Sequence, residues 1–265
     1  MGRRRTRLRQ AASATATILF FQVFRLLPLP LARRGARLLG RLALLLPRLR
    51  KTGMANLDLA YGDALSRGEK WAILRGAAEN LVVVAAEFPH LPSLLTCDMG
   101  AHADFIGMEH LPRNGGGLLI APHSANWEWA GALLARHGFK AAVVVRPLDD
   151  VRLNALVDKT RRGSGLHTIC KEDAGPEILQ LLREGWQTGI LVDQSPRDNA
   201  VPVTFFGQPC WATVAPVMIA VRARVPVFPI SMHRRADWRY VVEVHPPLEM
   251  VRTGNLRADL LEKSQ

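Results

Sequence analysis

His123 and Glu128 lie in the run Ala121, Pro122, His123, Ser124, Ala125, Asn126, Trp127, Glu128. They are residue types that could remove a proton from an alcohol as it attacks an acyl carbon. A neutral imidazole accepts a proton near pH 7, and a neighbouring carboxylate fixes its tautomer and stabilises the imidazolium that forms. The oxyanion created in the same step also needs a stabilising group. His123 follows an apolar run, Asn126 is a natural N-cap, and Glu128 falls in the first turn of the helix that follows. Such a corner can bring residues five apart back together, and a loop histidine satisfied by its surroundings is the plain alternative.

Spacing alone does not decide between the two. A chain with this many His and acidic residues contains about one such pair by chance. His167 and Glu172 repeat the spacing, and His167 sits among Thr168 and Ile169 in an expected strand, as a core or edge histidine would. The context of His123 differs, with an apolar run, a proline, small residues and a capped amphipathic helix.

The elements that must position these residues are legible as alternation. Short apolar runs at 118–121, 141–145, 167–169, 188–193, 227–231 and 240–244 predict strands. Helices are expected at 127–137, 150–162, 176–184 and 213–222. This texture predicts an α/β fold with a mixed, mostly parallel sheet flanked by helices. Ligands of such sheets bind beyond the carboxyl ends of the strands. His123, Arg146 and Asp193 each lie at or just past such an end, so three elements deliver polar groups to one edge. Upstream, Ser66 and Glu69 form a capping box opening a helix to about Glu87, and 97–117 is expected to be a polar loop.

Charge is segregated. Of 35 basic residues, 13 lie in residues 1–51, which hold no acid; the first is Asp58, and the remainder is close to neutral. Phosphate-backbone binding needs a basic stripe across a folded surface, so no nucleic-acid partner is expected. The N-terminal bases Arg3, Arg4, Arg5, Arg7 and Arg9 precede an uncharged run at 11–24 that is too short for a spanning helix of ~20 residues. At 31–46, Arg33, Arg34, Arg37 and Arg41 are set among Leu and Ala, as in an amphipathic helix lying on anionic lipid. The competing readings are a secretory signal, for which no small-residue cleavage site follows, and a core helix with solvated arginines. The organisation expected is 1–51 as a membrane-associating segment and 52–265 as the catalytic domain, helical over 52–100 and α/β over 101–265. Cys97, Cys170 and Cys210 form neither a zinc pattern nor a disulfide framework, and no metal is expected.

The run from His123 to Glu128 resembles the catalytic box of the bacterial lipid A biosynthesis lauroyl/myristoyl acyltransferase family, within the lysophospholipid acyltransferase group. Phosphatidylinositol mannoside acyltransferases have a similar arrangement. Arg146-Pro147 with Asn154 and Arg162-Gly163 looks like the family's second box, and Asp193-Gln194 with Phe205-Phe206-Gly207 like the third. Val225 to Pro229 looks like the fourth, and Asn56-Leu57 and Glu87 resemble the N-terminal helical region. The resemblance implies a glycerol-3-phosphate acyltransferase-like fold, with His123 as general base assisted by Glu128. Arg146 would bind a phosphate or the oxyanion, and Asn154 would support it. Asp193 and Gln194 would orient the base, bind a sugar hydroxyl or form an ordinary turn; Phe205, Phe206 and Gly207 would line the acyl slot or be plain core and rim.

The reaction implied moves a fatty acyl group from a thioester of acyl carrier protein or coenzyme A to a hydroxyl of a lipid A precursor, with no cofactor besides that co-substrate. It would take place at the cytoplasmic face of the bacterial inner membrane, the chain being peripheral or held by a short N-terminal anchor. Another glycolipid or a lysophospholipid is the alternative acceptor, and a non-catalytic membrane-binding α/β protein is the alternative of a different class. No G-x-S-x-G elbow supports a serine hydrolase. The three glycines Gly115, Gly116 and Gly117 precede a strand, the reverse of a dinucleotide site.

Overall fold

The computed structural model describes residues 2–96, 98–172, 174–196 and 199–249, with side chains from residue 10 onward. Cys97 and the side chains of Arg3, Arg4, Arg5, Arg7 and Arg9 lie outside the described residues. By contact the chain divides into two compact units, Met1–His90 with Phe205–Gln208, and Leu91–Thr204 with Pro209–Gln265.

The first unit holds four helices, α1 (Gly2–Leu26), α2 (Leu29–Ala43), α3 (Pro47–Tyr61) and α4 (Arg67–Glu87). Pro28 and Pro30 separate α1 from α2 without cost, because a proline in the first helical turn gives up an N–H that has no partner there. Ser66 caps α4 by the expected box: its hydroxyl accepts from Glu69 N at 3.3 Å, and the Glu69 carboxylate accepts from Ser66 N at 2.8 Å. Among the described residues no helix is long and apolar enough to cross a membrane.

α2 packs against α4 through its small residues. Ala32, Ala36 and Gly40 are buried, and a Cβ on Gly40 would stand 2.7 Å from the Ala78 carbonyl oxygen, so only glycine permits this approach. The arginines turn the same way: Arg33 Nε donates to Glu87 at 2.6 Å, and Arg37 and Arg41 donate to the two oxygens of Glu79 at 2.8 and 2.7 Å. Leu31, Leu38, Leu42 and Leu45 are exposed. Three of the arginines expected to face lipid therefore bond to α4, while Arg34 is exposed beside Leu31, Leu38 and Leu42, and Arg37 and Arg41 stay about half exposed.

The second unit is built on a seven-stranded sheet: β1 (Ala103–Ile106), β2 (Gly117–Ala121), β3 (Ala141–Val145), β4 (His167–Cys170), β5 (Gln187–Leu191), β8 (Val227–Arg234) and β9 (Tyr240–Val244), in the order β1-β9-β8-β2-β5-β3-β4. All neighbours are parallel except β8 and β9. The sheet is mixed and mostly parallel, and the helices α5 (Trp127–Arg136), α6 (Val151–Arg162), α7 (Ala174–Arg183) and α8 (Ala215–Ala223) join its strands. Ile178, Leu181 and Leu182 of α7 pack on Ala142 and Ile169, while Ala220 of α8 packs on Leu118 and Val227. Fully buried Trp129 of α5 meets the Tyr240 ring at 5.6 Å.

Two features depart from the sequence reading. β1 lies inside the stretch expected to be loop, and its Asp104 is held by Arg235 and Arg239. A separate hairpin of β6 (Ala200–Phe205) and β7 (Gln208–Thr213) turns through Phe206 and Gly207. Both turn residues have positive φ, 49° and 72°, the backbone that matches the twist of a two-residue hairpin.

Candidate active site

β2 and β5 are parallel neighbours with Ala121 opposite Leu191, and Val192 N donates to the Ala121 carbonyl at 3.1 Å. Two residues beyond each of these paired positions stand His123 and Asp193. The register therefore sets them side by side. Nδ1 of His123 lies 2.6 Å from Oδ1 of Asp193, and the His123 backbone N–H donates to Oδ2 at 2.8 Å. Both carboxylate oxygens are thus taken by one residue.

The carboxylate state follows from this geometry. Partial burial pushes the Asp193 carboxyl up, but the hydrogen bonds from the His123 ring and backbone outweigh it and hold the group below the usual carboxylate range. An ionised carboxylate only accepts, so Nδ1 carries a proton, and in the neutral tautomer this selects, Nε2 is the nitrogen with the lone pair. The side-chain amide of Gln194 lies 3.5 Å from Nε2, and the imidazole is 27% exposed, open to an incoming hydroxyl.

The corner that carries His123 is held locally. Ser124 N donates to the Pro122 carbonyl at 2.8 Å, and Ala125 takes a left-handed φ of 45°. Asn126, fully buried, caps α5 by accepting from Trp129 N at 3.2 Å. The Ser124 hydroxyl donates to the Met232 carbonyl of β8 at 3.3 Å, and the Trp127 ring meets the imidazole edge-on at 5.0 Å. A non-glycine residue in the left-handed region is uncommon and costs of order 1 kcal/mol; it lies two residues from the imidazole.

Glu128 is not the carboxylate on His123. Arg161 of α6 grips it with two parallel bonds, Nε to Oε2 at 2.9 Å and Nη2 to Oε1 at 2.7 Å, with both side chains largely buried. The physical reason is geometric: the guanidinium fork occupies both Glu128 oxygens, while the neighbouring strand presents Asp193 to the ring. The same spacing elsewhere behaves alike. His167, on the edge strand β4, bonds Glu177 at 2.8 Å, and Glu172 takes the Cys170 thiol. In neither His-x4-acid pair does the acid sit on its histidine. Arg161 was not singled out in the sequence, where nothing local joins it to a residue 33 positions away.

Arg146 follows β3, which neighbours β5. It is exposed and bonds only loosely to Asp149, at 3.3 Å. Asn154 does not touch it directly; its side-chain oxygen accepts from Leu148 N at 2.8 Å and so ties down the loop that carries Arg146. Phe205 and Phe206 are exposed at the hairpin turn with rings 4.7 Å apart, and Phe206 meets Tyr61 at 5.3 Å. These residues and Gly207 group with the helical unit. Among the described residues no set of three His, Cys, Asp or Glu is placed to hold a metal ion.

The sequence matches the family described as bacterial lipid A biosynthesis acyltransferase over residues 2–262. No curated protein matches it significantly. Among solved structures it is similar to the 1-acyl-sn-glycerophosphate (LPA) acyltransferase PlsC from Thermotoga maritima, at 16% identity and a TM-score of 0.37, over 86% of this chain and 94% of that one.

Proposed function

Because the chain belongs to the bacterial lipid A biosynthesis acyltransferase family, and so is an acyltransferase acting on a lipid, we propose that it acylates a hydroxyl of a lipid A precursor. The donor is a fatty acyl thioester of acyl carrier protein or coenzyme A. Nε2 of His123 takes the hydroxyl proton as the oxygen attacks the thioester carbon. Asp193, bound to Nδ1, keeps the ring in the required tautomer and stabilises the imidazolium. When the tetrahedral intermediate collapses, the same proton passes to the departing thiolate. Arg146, exposed and loosely held, binds an acceptor phosphate or the developing oxyanion. Glu128 and Arg161 act as positioning residues that lock the first turn of α5 to α6.

The observation that carries this reading is the 2.6 Å contact between His123 Nδ1 and Asp193 Oδ1 at the carboxyl ends of two parallel strands. Residues 1–51 would hold the enzyme peripherally at the cytoplasmic face of the inner membrane, and the exposed leucines of α2 support that placement. The test is turnover of both thioesters against a lipid A precursor and a lysophospholipid, for wild type and His123→Ala. Transfer to the lipid A precursor that disappears in the variant is expected. Equal turnover by the variant removes His123 from the mechanism, and transfer to the lysophospholipid alone removes the acceptor assignment.

A further inference from the structure

In the helical unit, α3 and α4 form an open groove of about 790 Å³ lined by Arg50, Lys51, Met54, Arg67, Gly68 and Trp71. That is within the range of small-ligand sites. The helix periods explain the lining. Met54 lies one turn beyond Arg50 and Lys51 on α3, and Trp71 one turn beyond Arg67 on α4, so each helix contributes cations followed by an apolar residue on one face. The two helices are held in place independently of the groove. Gly53 lets the Leu74 side chain approach so closely that a Cβ would meet it at 2.3 Å, and Lys70 bonds Asp58 at 2.7 Å.

The three cations of the groove contrast with those of α2. Arg33 is paired with Glu87, and Arg37 and Arg41 share Glu79, whereas Arg50, Lys51 and Arg67 form no ion pair among the described residues. Their floor is Met54 and the partly exposed Trp71, which suits an amphiphile better than a free inorganic anion. Just before Arg50 in the chain, Leu45, Leu46 and Leu49 are exposed as well. Trp residues are enriched where one end of a side chain meets hydrocarbon and the other water.

We propose that the groove between α3 and α4 binds the phosphate of an anionic phospholipid, with Arg50, Lys51 and Arg67 on the headgroup and Met54, Trp71 and the adjoining leucines against the acyl region. This names the contact surface for the membrane placement proposed above, on which it rests, and it does not depend on the acyl-transfer chemistry. An acidic carrier protein would also be attracted by three cations, but it would not account for the apolar floor and the exposed leucines just before it in the chain.

The test uses the full chain with vesicles of phosphatidylcholine alone or mixed with phosphatidylglycerol, at fixed ionic strength. Three proteins are compared: wild type, the groove variant Arg50→Gln, Lys51→Gln, Arg67→Gln, and a control that removes the same charge from exposed positions outside residues 1–51, Arg136→Gln, Arg183→Gln, Arg222→Gln. Circular dichroism verifies that each is folded. Removing three lipid-facing cations is expected to lower the partition onto phosphatidylglycerol vesicles by on the order of a hundredfold, with a much smaller loss in the control. Quenching of tryptophan fluorescence by brominated phosphatidylglycerol is expected to fall in Trp71→Phe. Equal losses in the two triple variants would mean diffuse attraction and overturn the groove, as would wild-type partition by the groove variant. A groove variant that keeps vesicle binding and loses turnover only with the carrier-protein thioester would reassign the groove to that protein. Wild type that ignores both vesicles removes the membrane placement itself.

Discussion

The imidazole of His123 meets the carboxylate of Asp193 at 2.6 Å across 70 residues of sequence, and the His123 backbone N–H occupies the other oxygen at 2.8 Å. The carboxylate thus fixes both the ring and the main chain that carries it. Asp193→Asn keeps the shape but can present an N–H to Nδ1 and favour the wrong tautomer. A loss of about 10²- to 10⁴-fold in kcat is expected, with KM for the thioester nearly unchanged. Steady-state kinetics with the acyl thioester checks this, and wild-type kcat in the variant would show that Asp193 does not assist the base.

Glu128 and Arg161 should behave as one unit. Breaking a largely buried ion pair leaves an uncompensated charge, so either Glu128→Ala or Arg161→Ala is expected to cost about 3 kcal/mol or more. The double variant should lose clearly less than the sum. Urea denaturation gives the stabilities, and activity should fall to a similar extent in both single variants. Full activity in Arg161→Ala beside an inactive Glu128→Ala would instead place Glu128 directly on the substrate.

The α2–α4 clasp should weaken in acid. Burial pushes the Glu79 carboxyl up, but its bonds to Arg41 and Arg37 and their charges outweigh this, and the net displacement is downward. A folded-state value below the unfolded one means that the unfolded chain binds the proton more readily. The stabilisation is therefore complete above an ordinary glutamate value of about 4.3 and is lost as pH falls through the lower folded value. Urea midpoints from pH 6 down to pH 3 should drop more steeply for wild type than for Glu79→Gln; parallel curves would count against the clasp.

Gly40→Ala tests the helix seam. Its Cβ would stand 2.7 Å from a backbone carbonyl that cannot rotate away, so α2 must shift, at a cost of about 1–3 kcal/mol. Calorimetry should show a lower Tm, and an unchanged Tm would mean that the helices are not packed this closely.

The parts of the fold that the sequence announced are those with sustained periodicity. β2, β3 and β5 are readable as short apolar runs, and α4, α5 and α6 because each opens on a side chain that caps it, Ser66, Asn126 and Asp150. β1 is four residues long with an acid inside it, and only Arg235 and Arg239, far along the chain, make that acid acceptable in a strand. The β6–β7 hairpin hides because Pro202 interrupts its first strand and its turn is Phe-Gly where Asn-Gly or Asp-Gly would have been the signal. At the site, the strand ends pointed to His123, Arg146 and Asp193 together. Which carboxylate meets the imidazole is a property of inter-strand register, which no local spacing contains, and the attachment of Glu128 to Arg161 likewise spans two helices.

Because the paired residues each stand two positions beyond a matched rung of β2 and β5, the strands act as a ruler. One residue inserted between Leu191 and Asp193 would leave the sheet's ladder whole and the protein folded, yet would carry the carboxylate away from the ring. Length polymorphism should accordingly be selected against in these two short connections.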